Sequence, residues 1–182
     1  KIQPWEDKAL YLLQENYLQL LNKYPNIIRL MPSHYKTRTL PLQAINDLII
    51  LDNLSIQKPI SFQLIPFNYP LTSDLSGKTS LLTAYSQTKL DLTNILPILH
   101  NMGIHVIDQL TSRFGDSEFT IGYIHSFRIL DKSKIKLNEQ NISDRLITAL
   151  EYIYSNTLPN DPLNQLIITS TLTADDIYIL QA

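Results

Sequence analysis

Apolar side chains at Ala9, Leu12, Leu13, Tyr17, Leu20 and Leu21 recur with a period near 3.6 and predict an amphipathic helix over residues 5–24. Pro25 ends it. Residues 30–40, with Met31-Pro32-Ser33-His34-Tyr35, break the pattern and read as irregular. Pro41 suits a first helical position, and Ala44, Ile45, Leu48 and Ile49 give a second helix its apolar side to about residue 53. After Pro59 the period changes to two, so residues 60–65 read as a strand and residues 81–87 as its partner. Pro66, Pro70 and Gly77 make the stretch between them a long turn. Ile95, Leu96, Leu99 and Met102 share one helical face. With Thr93 as N-cap, Pro97 falls at the edge of the first turn, where proline is tolerated, and Gly103 supplies the left-handed stop. Residues 104–111 and 119–130 read as two strands around Gly115-Asp116. Residues 143–154 read as a helix with Leu146, Ile147, Leu150, Ile153 and Tyr154 inward. Residues 159–164 read as a linker, and 166–172 fits strand and helix equally. Thr173 and Asp176 have capping-box spacing, with Asp in place of the usual Glu, and open a last helix.

Helices, then two hairpins with helices between and after them, predict an α+β two-layer sandwich rather than a doubly wound sheet. The expected organisation is an N-terminal helical segment over 1–58, the sandwich over 59–158, and a linker with the start of a helix over 159–182. The first residue is Lys1, and the last helix has no Gly or Pro stop, so a piece of a longer protein is expected.

Composition narrows the chemistry. A formal charge of -2 leaves no electrostatic footprint for nucleic acid or an anionic membrane. No apolar run reaches the roughly 20 residues needed to span a bilayer. There is no cysteine, which removes disulfides, thiol nucleophiles and thiolate metal sites. The 4 glycines lie too far apart for a dinucleotide-binding loop.

Short motifs add little. Gly77-Lys78-Thr79 matches the end of a phosphate-binding loop, but Thr72 stands where the first glycine is required and a strand follows in place of a helix. His34, His100, His105 and His125 have no metal-ligand spacing and read as surface or partly buried. Asp108, Asp116 and Glu118 flank the second hairpin and read as a solvated edge. Asp131-Lys132-Ser133-Lys134-Ile135-Lys136 reads as a solvated basic loop. Asn53-Leu54-Ser55 and Asn141-Ile142-Ser143 are chance-frequency glycosylation triplets. Ten tyrosines suit domain contacts, since the ring packs while the hydroxyl stays available. Nothing in the residues themselves supports catalysis.

The run Leu92-Thr93 … Leu96-Pro97 … Leu99 … Asn101 … Gly103 … Val106 … Asp108 resembles a pattern near the N-terminus of the large bacterial NAD-specific glutamate dehydrogenases. Tyr123-Ile124-His125-Ser126-Phe127 is similar to that family's Trp-Ile-His-Asp-Phe strand. Asn160-Asp161-Pro162-Leu163-Asn164-Gln165-Leu166 is similar to its Asn-Asp-x-x-Asn-x-Leu stretch. Met31-Pro32-Ser33-His34-Tyr35 with Ala44-Ile45-Asn46-Asp47 is similar to its Pro-x-x-Tyr and Ala-x-x-Asp-Ile signature, and Trp5-Glu6-Asp7 fits its preceding helix. Gln109, Ser126 and Tyr123 depart from the pattern.

The resemblance implies a parent enzyme that oxidises L-glutamate to 2-oxoglutarate and ammonia with NAD, and a cytoplasmic location. The catalytic lysine and aspartate would lie in a later region, so no catalytic, cofactor or metal-binding residue carries over onto this chain. The implied module is an ACT-type, ferredoxin-like sandwich that binds amino-acid effectors or pairs subunits, here with strand and helix order ββαββα. Its partners would be the rest of the parent polypeptide, further copies in a homo-oligomer, and an amino-acid effector. An effector would sit at the turn of residues 87–92, which has no glycine. Thr88, Lys89, Asp91 and Thr93 are its candidate residues, with the helix start near Thr93 favouring a carboxylate. A freestanding amino-acid sensor or adaptor of ACT type is the alternative.

Overall fold

The computed structural model describes residues 4–66, 79–131, 140–155, 157–170 and 172–181. The first predicted helix is broken in two, α1 at Pro4–Asn16 and α2 at Leu18–Lys23. Tyr17 between them leaves the helical region with φ −137° and ψ 42°. With this break Leu12, Tyr17, Leu20 and Leu21 all pack against one buried cluster. The segment that reads as irregular holds two single turns, α3 at Ile27–Leu30 and α4 at Ser33–Lys36. A four-residue helix is too short to show a period, so only burial of Ile27 and Tyr35 marks these turns. α5 spans Pro41–Asp52 with its proline in the first turn, as its sequence predicts.

β1 (Ile60–Pro66) and β2 (Thr79–Ser86) follow. The connection between them, with Gly77-Lys78, lies outside the described residues. Then come α6 (Leu92–Asn101), β3 (Ile104–Gly115), β4 (Thr120–Asp131) and α7 (Gln140–Tyr154). The basic run of residues 132–136 also lies outside the described residues. The order is therefore ββαββα, in a four-stranded sheet of order β1-β2-β4-β3. This α+β arrangement is consistent with an ACT-like sandwich. A short 3-10 turn at Pro162–Gln165 leads into α8 (Leu166–Thr169) and α9 (Ala174–Gln181). The ambiguous 166–172 stretch thus begins as a helix. Thr173 and Asp176 cap α9 reciprocally. The Asp176 carboxylate accepts from the Thr173 N–H at 2.9 Å, and the Asp176 N–H donates to Thr173 Oγ1 at 3.3 Å.

Packing divides the chain into two units. One holds residues 1–61, 85–89 and 111–125; the other holds 62–84, 90–110 and 126–182. The first unit buries Leu13, Ile27, Ile45 and Leu48 from its helices with Tyr85, Phe114 and Ile124 from its strands. Tyr35 meets Phe114 edge-on, ring centres 4.8 Å apart. The second unit buries Leu82, Phe127, Leu99, Met102, Leu146 and Leu150. On α7 the inward face is Leu146, Leu150 and Ile153, with Ile142 and Ala149. Ile147 and Tyr154 are half-buried.

Two features define α6. Its N-cap is Asp91, not Thr93: the Asp91 carboxylate accepts from the Thr93 N–H at 2.9 Å and from the Thr93 hydroxyl at 2.8 Å. An aspartate cap two residues earlier leaves Pro97 inside the helix, on its exposed side. Pro97 has no N–H to donate to the Thr93 carbonyl, and a proline in a helix interior costs about 3 kcal/mol. Part of that is offset by the stiffer unfolded chain. We expect Pro97→Ala to raise unfolding free energy by about 1–2 kcal/mol, read by urea denaturation; an unchanged or lowered midpoint contradicts it.

At the other end Gly103 has φ +77° and its N–H bonds the His100 carbonyl at 2.9 Å. A Cβ there would lie 3.0 Å from Gln165 Cγ. The left-handed backbone alone costs an L side chain about 1–2 kcal/mol. Gly103→Ala is expected to lower stability by about that amount, and a melting curve that does not move would contradict the strain.

Candidate functional site

The four residues expected to hold an effector are distributed over both units. Thr88 and Lys89 close the first unit's 85–89 segment, both exposed. The Thr88 carbonyl accepts from the Ser86 hydroxyl at 2.5 Å. Asp91 and Thr93 belong to the second unit and are joined to each other in the α6 cap. The Thr93 hydroxyl and N–H hold the Asp91 carboxyl below the ordinary carboxylate range. The α6 start therefore already carries its own anion. The Asn94 and Ile95 N–H groups are also used, both on the Asp91 carbonyl at 3.1 and 3.3 Å.

Inside the first unit is a polar node that composition and spacing did not single out. Asp47 on α5 is 4% exposed. Its carboxylate accepts from the Tyr35 hydroxyl at 2.5 Å, the Tyr85 hydroxyl at 2.5 Å and the Gln43 side-chain amide at 2.8 Å. Burial pushes the Asp47 carboxyl above its ordinary value, against the pull of the two phenols and the amide. Tyr35 is pushed well above the usual tyrosine range by burial and by the Asp47 charge. Two tyrosines that composition assigns to domain contacts thus turn their hydroxyls inward.

A second buried node surrounds His125 on β4, which is fully buried rather than at the surface. Its Nδ1 lies 3.2 Å from Thr111 Oγ1 and its Nε2 3.4 Å from Ser86 Oγ. Burial, with the Lys89 charge second, holds it down to about 4, so the ring is neutral near pH 7. His34, His100 and His105 are exposed. Asp108 and Asp116 are also exposed: the first pairs with Arg128 at 2.5 Å, and the second caps its hairpin through the Glu118 and Phe119 N–H groups. Among the described residues no group of three or more His, Asp or Glu is placed to hold a metal ion. No helix of the described residues is long and apolar enough to cross a membrane.

The second unit brings two of the resembling motifs together. The Asn101 side-chain amide donates to the Asn160 side-chain Oδ1 at 2.9 Å. Asn164, fully buried, donates to the Pro159 carbonyl at 2.9 Å and accepts from the Gln181 amide at 3.0 Å. Asp161 caps the 3-10 turn through the Leu163 N–H at 2.8 Å. These bonds hold residues 158–160 beside α6, and between them runs an open groove of about 440 Å³. Pro97, Ile98, Ile153 and Leu158 line it, with Asn94 and Asn160 supplying carboxamides.

The groove, α6 and the strands around it fall in or beside one recognisable stretch. Residues 70–142 match the family model of the glutamate dehydrogenase ACT3 domain. Beyond that stretch, the chain is similar to the NAD-specific glutamate dehydrogenase of Pseudomonas aeruginosa, 28% identical over 98% of the chain. It is also similar to the NAD-specific glutamate dehydrogenase of Halomonas elongata, 24% identical over 83%. The chain spans about a tenth of the length of these relatives, 11% and 9% respectively. The ACT3 stretch contains β2, α6, β3 and β4, and so all four expected effector residues. Asp47 and the Asn160–Asn164 loop lie outside it. Asn101, Gly103, Asn160 and Gln165 were visible in the sequence as motif members. Their pairing was not, because about 60 residues of chain separate them.

Proposed function

We propose that this chain is the regulatory or assembly part of a larger NAD-dependent glutamate dehydrogenase and performs no chemistry itself. The observation that carries this is a resemblance running along 98% of the chain with the ACT3 match inside it. In this reading the parent enzyme converts L-glutamate, NAD and water to 2-oxoglutarate, ammonia and NADH. NAD and the catalytic residues belong to the remainder of the polypeptide. The partners are that remainder and further copies of the chain in a cytoplasmic homo-oligomer. Two physical features support a non-catalytic role. The buried titratable groups, Asp47 and His125, are enclosed by their own partners. The groove beside α6 carries no titratable side chain.

The alternative use of the same fold is an amino-acid sensor acting through Thr88, Lys89, Asp91 and Thr93. The Asp91 cap weighs against it, since an incoming carboxylate must displace a carboxylate already bonded to Thr93. Thermal shift of the chain against an amino-acid panel and NAD separates the readings. The assembly role predicts no saturable rise in midpoint with either. A saturable rise with one amino acid, weakened by Lys89→Ala, favours the sensor. A rise with NAD contradicts the placement of the cofactor site elsewhere. Glutamate dehydrogenase activity of the longer polypeptide, absent from this chain alone, tests the parent reaction.

A further inference from the structure

Three strand segments of the first unit meet at one imidazole. β4 lies between β2 and β3 in the sheet, and His125 on β4 reaches a hydroxyl on each neighbour. Thr111 Oγ1 on β3 is 3.2 Å from Nδ1, and Ser86 Oγ on β2 is 3.4 Å from Nε2. Tyr123, two residues earlier on β4 and so on the same face, stacks on the ring with centres 6.2 Å apart and planes at 20°. His125 and Ser86 are both buried. Ser86 is the last residue of β2. The turn after it carries Thr88 and Lys89 and leads to the Asp91 cap of α6.

Burial and the Lys89 charge keep the ring neutral near pH 7, so one ring nitrogen carries a proton and the other a lone pair. A threonine hydroxyl donates or accepts, so Thr111 fits either tautomer. Ser86 decides between them. Its hydroxyl has one proton to give. The Thr88 carbonyl at 2.5 Å is a much closer acceptor than the ring nitrogen at 3.4 Å, which lies at the long end of the hydrogen-bond range. The proton therefore goes to Thr88, and Ser86 Oγ turns lone pairs toward Nε2. A lone pair on Nε2 would set two acceptors against each other in a buried site. A proton on Nε2 completes the contact. Nδ1 is then the acceptor, and the Thr111 hydroxyl donates to it.

We propose that His125 is a tautomer-specific clasp on the turn between β2 and α6: held as the Nε2–H form, it donates to Ser86 Oγ, whose own proton is bonded to the Thr88 carbonyl. The bonds run one way, from ring to serine to carbonyl, so each polarises the next. His125 is thus a positioning residue for Thr88 and Lys89, and it acts on them only through Ser86. The clasp lies within the first unit and does not depend on what a larger polypeptide does.

Long-range nitrogen–proton correlation on the 182-residue chain, labelled with nitrogen-15 at histidine, reads the tautomer near neutral pH. The His125 signals are those missing from His125→Gln. A protonated Nε2 and an unprotonated Nδ1 are expected; the reverse, or two averaged signals, overturns the clasp. Ser86→Ala removes the acceptor of the ring proton. It should raise the Nδ1–H share by about 5-fold, the loss of about one hydrogen bond, and move the Thr88 carbonyl carbon signal. Ser86→Thr keeps a hydroxyl and should restore both signatures to the wild-type pattern. Thr111→Val should leave the Nε2–H form and the Thr88 signal in place. A serine that only packs would change stability without moving the tautomer. An unmoved tautomer or an unmoved Thr88 carbonyl in Ser86→Ala overturns the coupling, and a tautomer that switches in Thr111→Val overturns Ser86 as its determinant.

Discussion

Asp47→Ala is expected to lower unfolding free energy by about 3–5 kcal/mol, the range for breaking a buried charged network from one side. Alanine at 47 removes the acceptor that the Tyr35 and Tyr85 hydroxyls share in a buried site, and each buried donor that loses its acceptor costs about 1–3 kcal/mol. The Gln43 amide loses its acceptor as well. Removing donors together with the acceptor should therefore cost less than the sum. Tyr35→Phe with Tyr85→Phe in the Asp47→Ala background is expected to recover part of the loss. Urea denaturation of the wild type and these two variants measures this, and an Asp47→Ala cost below about 1 kcal/mol contradicts the node.

The pH dependence of Asp47 has a definite sign. Burial raises its folded-state carboxyl above the ordinary 3.8, so the fold favours the protonated form. Its contribution is therefore fully present below 3.8 and lost as pH rises through the raised value. Asp47→Asn keeps an acceptor and removes the titration. The stability advantage of wild type over Asp47→Asn should grow as the pH is lowered through this window. An advantage that shrinks on acidification would reverse the sign.

His125 runs the other way. Its folded value is held down to about 4 from 6.5. Such a group stabilises the fold above pH 6.5 and loses that contribution as pH falls towards 4, when the unfolded chain takes up the proton first. At about 1.4 kcal/mol per pH unit the contribution is about 3 kcal/mol. Stability measured from pH 7 to 4 should fall by about that amount more in wild type than in His125→Gln. The glutamine side chain retains a donor and an acceptor for Thr111 and Ser86. Parallel curves for the two proteins would show that His125 does not titrate in this window.

Both nodes show why tyrosine and histidine counts mislead. Tyr35 sits in a four-residue turn that no period predicts, and Tyr85 lies on a strand 38 residues beyond Asp47. Each side chain alone reads as amphipathic surface. Only the meeting of α4, α5 and β2 makes Asp47 a buried acceptor. His125 is buried beside Ser86 of β2 and Thr111 of β3, whereas His105, on β3 itself, is exposed.

The sequence by itself determined what depends on neighbours a few residues apart. The periods of 3.6 and 2 placed α5, β1, β2 and α7. Pro41 and Gly103 marked an entry and an exit, and Thr173 with Asp176 marked the α9 cap. The ββαββα order and the family resemblance also came from local patterns. Tertiary structure decided the rest. It chose Asp91 over Thr93 as the α6 cap, since both can accept the N–H and only the three-dimensional turn selects one. It thereby put Pro97 inside the helix. It split the first helix at Tyr17, so that residues on both sides could reach one core. It joined Asn101 to Asn160 and set Gly103 against Gln165. These outcomes depend on side chains brought together by folding, and a one-dimensional pattern carries no information about which distant partners will remove each other from water.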